Sequence, residues 1–446
     1  MKIYRFLTKF ITTICIILTH NINSFSQQIM SLENALSLTL KENIDLKIKN
    51  NELDQIKNYE KVGVLATLPK ITVNGSASGN KGTSSLEFVT NDFPSIENSE
   101  SESKSLAGNI EISYNLFNGI GSIYTYQKLK KQSDLKSIEL SIKIEQILLK
   151  TAKEYFDVAY LQENYQIIKE LLYISKERYN KIKVQNEFGN SSKLDLLSAE
   201  IDLNDDSIKL MKVEHELQIA KNQLNQTLNR DLKSNFLVEY KIDINRDLIY
   251  SDLNLETQKN NNNILLGQFM LDISKEDKKI NTISILPSIN ISAQYGYNQI
   301  ESSTSIIIDQ TSLGLTGFLN FSWDLFDGVA KNKITQNSKI QIESNKLELQ
   351  KIKQEIQKEF NSSYKQYSNC INLIDIEKRN QITSEKFFES SKEKFYQGQI
   401  SRNDFRQAQI DLNKSKIRLN QTLYNAKIAE LNLYRLSGKI IKKTSD

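Results

Sequence analysis

Two long stretches of the chain carry apolar residues at steps of three and four. In the first, Leu140, Ile144, Ile147, Thr151, Tyr155, Val158, Leu161, Tyr165, Ile168 and Leu172 mark one face; in the second, Ile352, Ile356, Phe360, Tyr364, Tyr367, Ile371 and Ile374 do. That spacing predicts helices packed through coiled-coil seams. No Pro or Gly interrupts Ser122 to Phe188 or Val329 to Gln397. At 1.5 Å per residue, roughly seventy residues make a rod of about 100 Å, longer than an ordinary globular domain is wide.

Elsewhere the period changes to two. Ile71, Val73 and Ala77 alternate with Thr72, Asn74 and Ser78, and Leu106, Ile110, Ile112, Tyr114 and Leu116 alternate with Ala107, Asn109, Glu111, Ser113 and Asn115. Further on, Ile289, Ile291, Ala293, Tyr295 and Tyr297 alternate with polar or small residues, as do Leu313, Leu315, Leu319, Phe321, Trp323 and Leu325. The pattern predicts strands over about residues 70–80, 105–117, 288–299 and 311–326. Each is near the 9 to 11 or so residues that a tilted transmembrane β-strand needs, and Tyr114, Phe117, Trp323 and Phe326 fall where an interfacial aromatic girdle would lie. On alternation alone, amphipathic hairpins on a soluble core are the competing reading.

The two sets of elements are copies of one another. A shift of 209 aligns Tyr114-Asn-Leu-Phe-Asn-Gly119 with Trp323-Asp-Leu-Phe-Asp-Gly328, and the register holds without a gap for more than a hundred residues. Tyr155 meets Tyr364, Gly189 meets Gly398, Asp195 meets Asp404, and Ile201-Asp202-Leu203 meets Ile410-Asp411-Leu412. Upstream, a shift of 218 pairs Leu68-Pro69 with Leu286-Pro287, so the first copy carries nine extra residues before its Leu-Phe-x-Gly. They fall in Asn80 to Lys104, a Ser-, Glu-, Asn- and Gly-rich stretch that reads as an exposed loop. Each copy thus predicts a helical stretch, a Pro at the helix-to-strand transition (Pro69, Pro287), two strands, a long helix (118–188, 328–397), a Gly turn and a returning helix (191–229, 401–437). The boundaries are 27–235 for the first repeat, 236–250 for a linker and 251–446 for the second repeat.

Residues 1–26 precede the repeats. Lys2, Arg5 and Lys9 lead into the apolar run Phe10 to Leu18, and Ser24-Phe25-Ser26 offers a small-x-small cleavage site, so the segment reads as a secretory signal peptide. The run is too short for a spanning helix, and Ile14 before Cys15 does not suit a lipoprotein signal. Removing the leader takes three positive charges from the formal +4 and leaves a nearly neutral chain, which gives nucleic acid no purchase. The mature chain keeps a single cysteine, Cys370, and a single histidine, His215, too few for an internal disulfide or a His/Cys metal site. No P-loop, dinucleotide fingerprint or nucleophile elbow occurs, and no cofactor is implied. The Lys, Glu and Asp residues at helical spacing read as solvated helix faces.

Four membrane-length strands are too few for a closed barrel, and an open edge cannot be left in lipid, so copies of the chain must pool their strands. The exposed seams of the rods call for neighbours as well. A periplasmic adaptor or an envelope coiled-coil scaffold would share the long hairpin helices but not the alternating strands. An enzyme reading lacks any nucleophile and base to assemble.

Asn43-x-x-Leu46, the Leu-Pro pairs at 68 and 286, Leu-Phe-x-Gly at 116 and 325, and Gly-x5-Asp at 189 and 398 together resemble the TolC outer-membrane efflux family over nearly the whole mature chain. The resemblance implies a mainly α fold with a transmembrane β-barrel. Specifically, it implies a homotrimer with a twelve-stranded barrel in outer-membrane lipid, a periplasmic helical barrel, and an equatorial belt to which Phe236 to Leu248 contribute. It also implies a passive duct working with a periplasmic adaptor (membrane fusion) protein and an inner-membrane pump of RND or ABC type. The docking tips would be Phe188, Gly189, Asn190 and Ser191, with Tyr396, Gln397, Gly398 and Gln399. The entrance would be lined by Asp404, Gln407 and Asp195, with Gln407 standing where the family has a second acidic residue. Both Asp residues also sit where a helix N-terminus would use them as caps.

Overall fold

The computed structural model describes residues 29–65, 68–87, 95–118, 121–240, 242–303 and 307–440. The expected leader, with Cys15 and His20, lies outside them. A short strand β1 (Ile29–Met30) precedes helices α1 (Leu32–Glu42) and α2 (Ile44–Leu65), strands β2 (Lys70–Leu86) and β3 (Ile96–Asn118), and helices α3 (Gly121–Glu187) and α4 (Lys193–Thr227). After β4 (Leu237–Val238) the order recurs as α5 (Tyr250–Asn260), α6 (Asn262–Ile283), β5 (Ser288–Ser302), β6 (Asp309–Ser322), α7 (Ala330–Tyr396) and α8 (Arg402–Leu436). The two rods α3 and α7 are each 67 residues long.

The chain folds as two units. One comprises residues up to Lys49, Ser141–Asn262 and Gln354 onward, and the other comprises Asn50–Leu140 and Asn263–Lys353.

In the first unit the core gathers α1, the middle of α3, the end of α4 and the linker around Leu148, Tyr155, Leu224 and Phe236, all buried. Strands β1 and β4 pair in parallel, Met30 opposite Val238. Tyr155 on α3 holds both, its hydroxyl donating to the Met30 carbonyl at 2.9 Å and accepting from the Glu239 amide at 3.1 Å. Gln162, further along the same face, both donates to and accepts from the backbone of Val238. The repeat partner of Tyr155 does the same work downstream, because the Tyr364 hydroxyl donates to the Leu248 carbonyl at 3.1 Å. Each such side-chain bond to backbone is worth about 1 kcal/mol.

Each helical stretch ahead of a Pro is two helices, not one. The break falls at Asn43 (ψ 125°) and at Asn261 (ψ 119°), positions related by the shift of 218. The Asn43 side chain accepts from the Leu46 amide and so starts α2, and its amide donates to the Thr227 carbonyl at 2.8 Å. Asn261 donates likewise to the Leu436 carbonyl at 3.0 Å. Asn suits the break because its short amide serves a helix start and a helix end at once.

The second unit holds a four-stranded antiparallel sheet of order β2-β3-β5-β6. Lys131 and Lys128 on α3 pair with Glu276 and Asp277 on α6. The segment Asn80 to Lys104, expected as a loop, is mostly strand. Lys81 pairs with Glu102, Thr83 with Glu100 and Ser84 with Ser99, so β2 and β3 run on as a two-stranded ribbon past Ser103, where β5 stops. An antiparallel ladder satisfies its own backbone groups, and therefore polar side chains do not prevent it from forming. Among the described residues no helix is long and apolar enough to cross a membrane.

Candidate functional site

The sheet presents one apolar face. The register sets Val73, Ile110, Tyr295 and Leu315 in one row and Ile71, Ile112, Ala293 and Gly317 in the next. The large side chains of both rows are exposed. The opposite face carries Thr72, Glu111, Gln294 and Thr316, then Asn74, Asn109, Gly296 and Gly314. Strands β2 and β6 are the outer strands, and no further strand of the described residues pairs with either.

The aromatic residues gather at the helix-side end of this sheet. A bulge between Asn115 and Phe117 places Tyr114 opposite Ile291 and Phe117 opposite Ile289, so both rings reach the apolar face; strict alternation would have put Leu116 there instead of Phe117. Trp323 lies just past β6, its indole N–H donating to the Ile285 carbonyl at 3.2 Å. Phe326 follows, largely exposed. Pro69 and Pro287 each stand immediately before the first residue of a strand, where a fixed φ and a missing N–H cost nothing in the ladder.

The turns that follow the two rods have the same geometry. After α3, Gly189 adopts φ +75°, with its amide on the Asn186 carbonyl and the Asn190 amide on that of Gln185. After α7, Gly398 also adopts φ +75°, with the matching bonds to Phe395 and Lys394. A Cβ would have room at both, so the left-handed φ itself is what calls for Gly. Phe188 is exposed on the first tip with Ser191 ahead of the next helix, and Tyr396 on the second lies under the Lys181 ammonium, 4.0 Å from the ring centre, ahead of Gln397 and Gln399.

Both expected entrance carboxylates are helix caps. Asp404 forms a capping box with Ser401 at the start of α8: its carboxylate accepts from the Ser401 amide and hydroxyl, and its amide donates to the Ser401 oxygen at 3.2 Å. Asp195 does the same with Ser192 at the start of α4, and also pairs with Arg402. The Ser192 hydroxyl first, and Arg402 after it, hold the Asp195 carboxyl below its ordinary range. Asp404 remains exposed, so capping and facing a pore are compatible. Gln407, one turn on, is exposed and donates to Asp411 at 2.9 Å.

Between the tips and the core the structure brings together a cluster that the sequence did not single out. Arg406 of α8 grips Asp206 of α4 with two bonds, 2.6 and 2.9 Å, and Ser175 of α3 and Lys209 also donate to Asp206. Arg178 of α3 bonds Asp202 at 2.7 Å, and Gln409 donates to Ser175 and to the Leu171 carbonyl. Asp206, Arg178, Ser175 and Gln409 are buried. Burial alone would raise the Asp206 carboxyl, but the bonds from Arg406, Ser175 and Lys209 override it and hold it below the ordinary range. Arg406 is raised in turn, Asp206 outweighing burial. Arg178 donates to a half-buried Asp202 and to Gln409, and burial pulls it down to about 10, still charged at neutral pH. These charges are at helical spacing, and that is why they read as solvated faces.

Among the described residues no group of three His, Cys, Asp or Glu is placed to hold a metal ion. Comparison with solved structures finds the same fold. The Campylobacter jejuni CmeC outer membrane channel superposes with a TM-score of 0.77 at 17% identity, over 93% of this chain and 89% of that one. The open-state Neisseria gonorrhoeae MtrE outer membrane channel gives 0.71 at 13%, over 92% and 89%. The outer membrane protein VceC of Vibrio cholerae gives 0.69 at 13%, over 91% and 96%. A comparison with curated protein sequences finds no match. The family described as outer membrane efflux protein matches residues 35–230 and 255–439, which takes in both repeats, and the chain belongs to that family.

Proposed function

We propose that three copies of this chain form a passive exit duct from periplasm to exterior, the outer-membrane part of a tripartite efflux or type I secretion system. The carrying observation is the four-stranded sheet whose outer strands have no further strand partner among the described residues and whose apolar side chains are exposed. In lipid an open edge leaves backbone groups unsatisfied at several kcal/mol each, so β6 of one copy must meet β2 of the next until the barrel closes. Three copies supply twelve strands with the apolar face toward lipid and the polar face toward the lumen. Tyr114, Phe117, Trp323 and Phe326 then form the girdle at one interface.

In this reading the rods extend into the periplasm. Phe188 to Ser191 and Tyr396 to Gln399 meet the adaptor, which couples the duct to an inner-membrane pump of RND or ABC type. Asp404 and Asp195 set the charge of the entrance, with Gln407 a neutral neighbour. A mass measurement on the purified protein in mild detergent tests the assembly. A trimer is expected; a stable monomer that keeps its strand content overturns the pooled barrel.

A further inference from the structure

We infer that the β2–β3 ribbons of the three copies pair edge to edge beyond the barrel rim, so that the duct ends in a six-stranded collar lined with hydroxyl groups. The inference rests on the pooled barrel proposed above. Four strands of each copy reach the rim, but only two continue past it. Strand β5 stops at Ser302, opposite Ser103, and β6 begins at Asp309, opposite Glu301. Strands β2 and β3 stay paired from Lys81 with Glu102 to Leu86 with Ile96. At about 3.3 Å per residue this continuation is roughly 17 Å long.

Past the rim, β3 has β2 as its only strand partner among the described residues, and β2 has only β3. A two-stranded ribbon is marginal by itself, and each of its edges is a template for a further strand. The ribbon's two faces differ in chemistry. On β3, Ser99, Ser101, Ser103 and Ser105 continue the polar face of the sheet and are half-buried, whereas Glu100, Glu102 and Lys104 between them are exposed. Asn80 and Gly82 of β2 lie opposite Ser103 and Ser101 on the serine face. The charges of the other face are matched within the ribbon, Lys81 with Glu100 at 2.6 Å and Lys104 with Glu102 at 3.4 Å.

The serine face has a physical reason in a collar. Strands about 4.8 Å apart and tilted by about 40° place twelve strands on a backbone ring roughly 24 Å across, and six on one of roughly 12 Å. Side chains already fill an eight-stranded barrel, so six strands leave room inside only for small groups. Ser, Asn and Gly supply them, and the charged face points outward. The occupant of each edge is another copy, because the threefold ring sets matching edges at the same height. Since β2 runs away from the rim and β3 returns to it, β3 of one copy meets β2 of the next antiparallel. Gly79 at the rim and Gly82 above it have open space where a Cβ would stand, so the ribbon has the backbone freedom to lean inward.

Ser101→Cys in a Cys370→Ala background tests the collar, with outer-membrane preparations treated with a short bis-thiosulfonate linker and run on non-reducing gels. Glu100→Cys, the next residue but on the outward face, is the control. In the collar, three Ser101→Cys thiols share a bore of roughly 12 Å and one pair links, so two chains of every three are expected as covalent dimers. The Glu100→Cys chains are expected to stay monomeric on the gel. Ribbons standing apart on the twelve-stranded rim would hold the Ser101→Cys thiols roughly 20 Å from one another, beyond the linker's reach. Native mass in mild detergent is read on the same variants before linking. If the mass is trimeric but Ser101→Cys fails to link, or Glu100→Cys links equally, the collar is wrong and the trimer stands. If the mass is monomeric, the trimer itself falls, and the collar with it.

Discussion

Replacing Arg406 by Met tests whether the buried cluster holds the two repeats together near the tips. The change keeps most of the aliphatic volume and removes the two-bond grip on Asp206. Asp206 is fully buried and would retain only the Ser175 hydroxyl and the half-exposed Lys209. Breaking a buried pair by removing one partner costs about 3–5 kcal/mol, and the two surviving donors put the expectation near the lower end, about 3 kcal/mol. Replacing Asp206 by Leu as well removes the orphaned charge, so the double variant should recover at least about 1 kcal/mol of that loss. Protection of the α4 and α8 amides from hydrogen exchange in detergent is the assay, since it reports local opening without requiring the whole assembly to unfold. The folded carboxyl of Asp206 lies below its ordinary 3.8, so its contribution is present above that pH and lost as pH falls through the lower folded value. The parent tips should therefore loosen in acid below about pH 4, and Asp206→Asn should flatten that dependence. Arg406→Met with parental protection, or a double variant that loses the full sum of the single effects, would refute the reasoning.

Three further outcomes are expected. Asp404→Asn should lower cation selectivity in planar bilayers while changing stability by less than about 1 kcal/mol, because Asn still caps; parental selectivity would leave Asp404 a cap alone. An epitope placed between Glu87 and Ser95, at the end of the β2–β3 ribbon, should be reachable on intact cells, and protection until the outer membrane is broken would reverse the orientation. Gly398→Ala forces a Cβ into φ +75° and should cost about 1–2 kcal/mol, seen as a lower melting temperature of the helical signal; an unchanged melt would mean that the tip relaxes freely.

What the sequence disclosed depended on whether a position's role shows in its spacing. The long helices and the sheet alternation were legible because burial repeats at a fixed period, and the tip turns because a Gly, the residue best suited to φ > 0, stands at the reversal in both copies. The pairing of Tyr155 with Tyr364 was visible as register, but its meaning, a hydroxyl for the linker backbone, required the fold. Asn43 stood in a recognisable motif while its bond to Thr227 spans 184 residues, a distance no local pattern encodes. Arg406, Asp206 and Arg178 looked like any charges on a solvated helix, since what buries them is a helix from the other repeat. The ribbon beyond Ser103 was misread as a loop for a related reason: polar composition rules out a core, but it does not rule out a ladder.

The asparagine at the start of each repeat touches the last turn of the same repeat, across 184 residues in one case and 175 in the other. A chain synthesised N-terminus first presents Asn43 long before its acceptor, so the early helices wait, unlatched, until Thr227 arrives. Once it does, the first repeat can shut on itself with the second still unmade, and the long loop closure is borne one repeat at a time. The sheet cannot keep that schedule, because β3 must wait for β5 from the second repeat. The expected intermediate is therefore a half-molecule with its helices fastened and a bare two-stranded hairpin. A chaperone bound to that hairpin would have most of one repeat's synthesis in which to act.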